Sequence, residues 1–174
     1  MIIKKYDIEL HRLTADDIEM VRNWRNDPKV SQFMNFRDHI TEEMQKKWFQ
    51  SINNDNNYYF IIVIDNKKVG LTEIKKIDYE NKSGESGIFI YDDSYQNSVY
   101  PFKIIFSLFD FAFYELKLEK IYAYILPENV RAVKFNESLG FSFIEKESSM
   151  GKYILTTDNY EKSVSKFKKI INKI

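Results

Sequence analysis

Hydrophobic and polar positions in the first third of the chain follow two spacings, which predict one strand and two helices. Residues 8–13 alternate apolar with polar side chains, as a strand with one buried face does. Residues 14–28 instead repeat apolar side chains about three residues apart, which predicts a helix with one buried face. Thr14 suits its N-cap, and Pro28 ends it because the residue before proline avoids helical angles. A second helix is predicted at residues 41–52.

The middle of the chain predicts three consecutive strands. Residues 58–64 form a strongly apolar strand, and residues 67–77 follow it as a hairpin partner. Gly70 predicts a β-bulge in that partner, because glycine inside a strand often marks one. After a turn at residues 81–84, residues 85–91 predict the third strand.

The second half alternates helices with strands. Residues 100–116 predict a helix whose apolar side chains wrap most of its circumference, so we expect it to be buried on more than one side. Residues 120–125 predict a central strand, and residues 129–140 a helix that Gly140 ends as its C-cap. The sequence then predicts two strands, at residues 141–146 and 153–157, around a turn at Gly151. A basic amphipathic helix follows at about residues 159–174.

This order of elements predicts a mixed α/β fold with one mostly antiparallel sheet of seven strands and helices on both faces. The first four strands can form an antiparallel meander, and only the strand–helix–strand unit around residues 100–116 must cross over. No repeat, linker or shift in composition divides the chain. We therefore expect a single domain over residues 1–174, with the last helix appended to it.

Composition and charge exclude several classes of function. The 174 residues are 44% hydrophobic and 16% aromatic, which is enough for a real core. Lys plus Arg equals Asp plus Glu at 26 each, so no basic footprint predicts binding to nucleic acid or to an acidic membrane. The chain has no cysteine and two histidines, which argues against a disulfide framework, a thiolate nucleophile and a metal site.

The expected location follows from two missing signals. The first residues lack the apolar run of a signal peptide, and no stretch approaches the roughly 20 apolar residues of a membrane span. We therefore expect a cytoplasmic protein without a membrane partner, either a monomer or a homodimer.

Two segments carry a resemblance to a known family. Residues 121–141 resemble the second half of an acetyltransferase core, with a strand, then Asn-x-x-Ala from Asn129, then a helix ending in Gly-Phe. The motif Trp-Arg-Asn-Asp-Pro at residues 24–28 is similar to a helix end in the ribosomal-protein and amino-sugar acetyltransferases. With the order of elements, roughly residues 6–157 resemble the GCN5-related N-acetyltransferase (GNAT) superfamily. The resemblance implies the GNAT fold and an enzyme that acylates an amine with an acyl-coenzyme A, first of all acetyl-CoA.

The resemblance places the coenzyme A diphosphate at residues 96–101, between the third strand of the middle group and the long helix. Gln96 fits the family pattern, but Val99 and Pro101 replace its two glycines. Valine disfavours positive φ, and proline has no N–H to donate. Proline is nevertheless common in the first turn of a helix. Either the coenzyme A site is altered but works, or the domain has lost the cofactor. The predicted cofactor contacts are Phe89, Ile90, Tyr91, Gln96, Asn97, Ser98, Val99, Tyr100, Pro101, Phe102, Lys103 and Asn129.

The chemistry needs an unprotonated amine, hence a base, and a donor for the thioester carbonyl oxygen. By resemblance, Glu85 is the candidate base, with an exposed strand-end carboxylate as the alternative interpretation and Glu73 as second choice. The resemblance also implies a backbone N–H from residues 89–91 as the donor. Asn136 aligns with the tyrosine that protonates the departing thiolate in many relatives, and an amide is no general acid near neutral pH.

The acceptor is expected to contact the first two helices and the loop between them. An aromatic pocket there suits a sugar ring or a nucleotide base. By resemblance, the first hypothesis is a nucleotide-linked amino sugar, and the alternatives are a protein N-terminal α-amine or a domain kept as a non-catalytic binding module. The candidates are Trp24, Arg25, Phe33, Met34, Phe36 and His39. The alternative role of Trp24 is helix packing, and the alternative for His39 is a loop histidine without a function.

Overall fold

A computed structural model describes the backbone of residues 1–171 and the side chains of residues 1–167, built around one sheet. The strand order is β1-β2-β3-β4-β5-β6-β8-β7. Strands β2 to β5 form the predicted antiparallel meander, and β5 pairs with β6 in parallel. The strands are β1 (Ile2–Lys5), β2 (Ile8–Arg12), β3 (Tyr58–Ile64), β4 (Lys67–Asp78), β5 (Ser83–Ile90), β6 (Lys120–Ile125), β7 (Ser142–Glu147) and β8 (Met150–Thr156).

Helices cover both faces of the sheet, so the predicted mixed α/β fold is confirmed. Helices α1 and α3 cover one face, where Val21 and Trp24 join a small apolar cluster with β3 and β4. Helix α4 covers the other face and joins the large core, which Tyr160 of α6 also enters. The helices are α1 (Ile18–Asn26), α2 (Pro28–Ser31), α3 (Glu42–Ile52), α4 (Tyr100–Asp110), α5 (Val130–Ser138) and α6 (Thr157–Ile171). A π-helical turn over Phe111–Glu115 extends α4 to the length that the sequence predicts.

The sheet has eight strands rather than the predicted seven, because residues 2–5 pair with β2. The connecting turn uses Tyr6 and Asp7, both with positive φ (56° and 59°), instead of the Asn-Gly pair that usually signals such a hairpin. Strand β1 is also mostly exposed, so no apolar alternation reveals it.

The late hairpin turns earlier than predicted. Its turn lies at residues 148–149, where Ser148 takes a positive φ of 56°, and Gly151 lies inside β8. Glycine is needed there for space, since a Cβ would lie 2.9 Å from Cε2 of Tyr153. Helix α6 begins at Thr157, and residues 172–174 of the predicted final helix lie outside the described residues.

Two predicted glycine roles are confirmed. Gly140 follows α5 with φ of 96°, a left-handed conformation that favours glycine. Beside Gly70, the register between β3 and β4 shifts by one residue, which is the predicted bulge. From Gly70 onward, β4 pairs with β5.

Tyr160 anchors α6 to the rest of the domain. Its side chain is fully buried, and its hydroxyl lies 2.7 Å from Oδ1 of Asp110 and 3.1 Å from the carbonyl oxygen of Phe106. Asp110 also accepts hydrogen bonds from Lys5 and Tyr6, so this buried carboxylate ties α4 to both ends of the chain.

Tyr160→Phe is expected to lower the free energy of unfolding by about 1.5–3 kcal/mol, because it removes a hydrogen bond to a buried carboxylate. Denaturant unfolding followed by circular dichroism measures the change. Tyr114→Phe is the matched control, since that side chain is 45% exposed. Equal losses in both variants, or none in Tyr160→Phe, would contradict the anchoring role.

Candidate functional site

The site is an opening in the sheet between β5 and β6. The two strands pair over three positions, ending at Glu85 and Tyr122. Beyond that point residues 86–89 of β5 and residues 123–126, at and just after the end of β6, line a cavity of about 710 Å³ instead of pairing with each other. Backbone N–H and C=O groups that would be paired in a continuous sheet are therefore exposed to the cavity.

The peptide N–H of Ile90 points away from β4. Tyr91 donates its N–H to the carbonyl oxygen of Val69 at 2.7 Å, so Tyr91 is bonded to β4. Hydrogen bonding alternates along an antiparallel pair, and Ile90 therefore directs its polar groups away from β4. Gln96 donates from Nε2 to the Ile90 carbonyl oxygen at 2.9 Å on that side. Of the three predicted donors, Phe89, Ile90 and Tyr91, Ile90 is the one whose N–H is not directed at β4, and its role as donor to a thioester carbonyl oxygen stays a prediction.

Two carboxylates share the cavity wall formed by β4 and β5. Glu85 pairs in register with Lys75, and Glu73 with Gly87, so both side chains lie on the same face. Glu85 accepts from Nζ of Lys76 at 2.9 Å, and Glu73 accepts from Nζ of Lys75 at 3.0 Å. The charge of Glu73 raises the pKa of Lys75 and outweighs the opposing effect of burial. Both carboxylates are therefore held in ion pairs at the cavity, where an amine can approach them.

Gly87 explains how Glu73 reaches over β5. A Cβ on Gly87 would lie 2.8 Å from Cδ of Glu73 and would overlap its Oε1. The missing side chain leaves the space in which the Glu73 carboxylate lies.

Helix α5 brings two asparagines to the opposite wall. Asn129 caps the helix by accepting from the N–H of Ala132 at 3.1 Å, and Asn136 donates from Nδ2 to the Ala132 carbonyl oxygen at 2.9 Å. Both line the cavity, and their roles toward the cofactor and the thiolate stay predictions. Tyr124 of β6 also lines it and is a phenol that the sequence analysis missed. The alternating burial of β6 is the signal that separates Tyr124 from the core.

The predicted acceptor residues divide into two groups. Arg25, Phe33, Met34 and Phe36 line the cavity. Trp24 is 8% exposed and stacks on Tyr91 with ring centroids 5.3 Å apart, so it lies outside the lining. His39 also lies outside the lining.

Trp48 and Tyr59 complete the aromatic wall and were not among the sequence candidates. Their rings meet edge to face, 5.2 Å between centroids. Burial, followed by the charge of Glu73, raises the pKa of Tyr59 to about 12, so its hydroxyl keeps its proton at neutral pH. Their apolar spacing in α3 and β3 predicts packing, and only the tertiary structure places them at the cavity.

The loop before α4 differs from the expected glycine-rich turn. Val99 has φ of −75° and ψ of −18°, and no residue from 96 to 101 has a positive φ, so the backbone needs no glycine. Within residues 1–171, the N–H groups of Asn97, Ser98 and Val99 have no hydrogen-bond partner. Three free N–H groups at the start of a helix fit a diphosphate. This loop lies outside the cavity lining, beside the opening.

The remaining predicted cofactor residues pack or pair locally. Pro101 is in the first turn of α4, where its missing N–H costs no helical hydrogen bond. Tyr100 and Phe102 are half-buried against the core. Lys103 is 3% exposed, and its Nζ lies 3.3 Å from Asp7, so its charge is matched within the fold.

A sheet that opens beside a helix N-terminus with free N–H groups, with carboxylates at the opening, fits an acyl-coenzyme A-dependent acyltransferase. The model of the acetyltransferase (GNAT) domain matches residues 7–142, and the chain belongs to this family. It is an N-acetyltransferase, and acetyl-CoA is its acyl donor.

Three similar proteins span most of the chain. Acetyltransferase PseH of Campylobacter jejuni is 25% identical over 78% of this chain and 83% of its own length. A crystal structure of spermidine N-acetyltransferase from Vibrio cholerae in complex with CoA and spermine has a TM-score of 0.78 at 20% identity. It covers 89% of this chain and 98% of the neighbour. The apo structure of FdhC, a nucleotide-linked sugar GNAT, has a TM-score of 0.82 at 17% identity and covers 98% of both chains.

The two structural neighbours confirm the fold. Within residues 1–171, no helix combines the length and apolar character that crossing a bilayer requires.

Proposed function

We propose that this acetyltransferase transfers the acetyl group of acetyl-CoA to the amine of a nucleotide-linked amino sugar. The observation that carries the proposal is the charge of the cavity. Three carboxylates and three basic side chains line it, so it holds no excess negative charge to attract a polycation such as spermidine. The six residues are Glu73, Glu85, Glu147, Arg25, Lys75 and Lys76.

The basic residues suit an acceptor that carries phosphate or sugar oxygens. Within the described residues, Nε of Arg25 is buried and has no hydrogen-bond partner. A buried donor without a partner is costly, and an acceptor oxygen at this position would relieve that cost. Arg25 therefore supports an acceptor rich in oxygen atoms.

The aromatic side chains suit a ring. Trp48 and Tyr59 line one end of the cavity, and Phe33 and Phe36 come from the loop after α2. Flat apolar faces of this kind stack on a sugar or a nucleotide base. The similarity to FdhC supports the same class of acceptor.

A panel of amines tests the proposal. Purified protein with acetyl-CoA is offered a uridine-diphosphate amino sugar, a thymidine-diphosphate amino sugar, the free amino sugars, spermidine and a short peptide with a free N-terminus. Released coenzyme A is measured with a thiol reagent, and the protein adds no background because it contains no cysteine. We expect kcat/KM to be highest for a nucleotide-linked amino sugar. Turnover of spermidine or of the peptide, with none on the sugars, would overturn the proposal.

A further inference from the structure

Arg131 reaches from α5 to the loop before α4. It is the second residue of α5, and its guanidinium makes two hydrogen bonds to Gln96. Nη1 donates to Oε1 of Gln96 at 2.9 Å, and Nη2 donates to the Gln96 carbonyl oxygen at 2.5 Å. Since Gln96 also donates to Ile90, Arg131 connects α5 to the end of β5 through this glutamine.

The charge of Arg131 is not matched by a carboxylate. Both oxygens that it contacts belong to a neutral glutamine, and within the described residues it forms no ion pair. Three other basic side chains, on the elements next to this loop and α5, are each paired with an acid. Lys103 pairs with Asp7, Lys29 with Asp93 and Arg37 with Glu128. Arg131 therefore lies against this loop with a charge that is available to an anion.

The guanidinium also keeps donors for a ligand. Arginine has five N–H groups in a planar fork, and the two hydrogen bonds to Gln96 leave three. Its hydrogen-bond partner, Gln96, directly precedes the three free N–H groups of Asn97, Ser98 and Val99. A diphosphate at the start of α4 would thus meet backbone donors on one side and the guanidinium on the other.

We propose that Arg131 is a ligand of the coenzyme A diphosphate and replaces the donors that the glycine-rich form of this loop would provide. Pro101 has no N–H, and the helical backbone at Val99 does not form a left-handed anion nest. Arginine binds phosphate through two parallel charge-assisted hydrogen bonds, which a lysine cannot reproduce. The side chain held by Gln96 is already at the loop, so little conformational entropy is lost on binding.

Calorimetry with coenzyme A, 3′-dephospho-coenzyme A and pantetheine tests this assignment without any acceptor, so its result does not depend on the proposed function. Arg131→Gln is expected to weaken coenzyme A and its dephospho form equally, by about tenfold to a hundredfold, the value of a charge-assisted hydrogen bond. Binding of pantetheine, which has no phosphate, is expected to stay the same. Arg131→Lys should recover part of the affinity for both nucleotides.

Lys134→Gln is the matched control, because it removes an exposed positive charge one turn further along α5. We expect it to change coenzyme A affinity less than twofold. Unchanged coenzyme A binding in Arg131→Gln would overturn the proposal. Equal weakening of pantetheine would also overturn it, by showing that Arg131 only shapes the opening. A loss confined to coenzyme A, with the dephospho form unaffected, would place Arg131 at the 3′-phosphate and contradict the assignment.

Discussion

Glu85→Gln is expected to lower kcat at neutral pH by about a hundredfold, while the affinity for acetyl-CoA stays the same. We propose Glu85 as the base because it lies where β5 and β6 part and lines the cavity. Glutamine keeps the size of the side chain but cannot accept a proton from the amine. Steady-state rates between pH 6 and 10 measure the effect, and calorimetry measures cofactor binding. The variant should recover part of its rate at high pH, because more of the acceptor amine is then neutral.

Two further variants separate Glu85 from its neighbours. Glu119→Gln is the control, because Glu119 also pairs with a lysine, Lys82 at 2.6 Å, but lies outside the cavity lining. We expect its rate to match the wild type. Glu73→Gln tests the second carboxylate. A normal rate in Glu85→Gln with a large loss in Glu73→Gln would transfer the role of base to Glu73.

Gly70→Ala is expected to cost about 2–3 kcal/mol of unfolding free energy and to lower kcat by about a hundredfold. The added Cβ would overlap the carbonyl oxygen of Phe89 and lie 2.9 Å from Cα of Ile90. Both obstacles are backbone atoms, so β5 must move. That movement displaces the Ile90 N–H, which we propose as the donor to the thioester carbonyl oxygen.

Gly84→Ala is the comparison for this effect. Its Cβ would meet side-chain atoms instead, the nearest being Cγ2 of Ile74 at 3.1 Å, which can give way more easily. We expect a smaller loss of stability and a nearly normal kcat. Denaturant unfolding and initial rates report the two quantities separately. If Gly70→Ala lost stability but kept its kcat, the Ile90 N–H would have no part in catalysis.

The sequence predicted every described helix except the short α2, and most strands, because their apolar spacing is strong and local. Strand β1 was missed since it is exposed and turns through Tyr6 and Asp7, which are not typical hairpin residues. The late turn was placed at Gly151 because glycine usually signals a turn, whereas here it makes room for Tyr153. In both cases the deciding interaction lies across the sheet, which local spacing does not describe.

The site shows the same division. The resemblance of residues 96–101 and 129–141 marked the loop and α5, and the resemblance at the start of β5 marked Glu85, with Glu73 as second choice. Trp48, Tyr59 and Arg131 were missed, because their neighbours at the site are distant in sequence. Arg131, for example, contacts Gln96, which is 35 residues away.

The sequence by itself determined the class of fold, the family and the residue types available for chemistry, since these depend on spacing and motifs along the chain. Only the tertiary structure decided where β5 and β6 part, which peptide N–H points away from β4 and which neutral side chain Arg131 contacts. The physical reason is that hydrogen bonds and ion pairs are satisfied across the whole fold. Whether a given group stays free for a ligand depends on neighbours that only folding brings together.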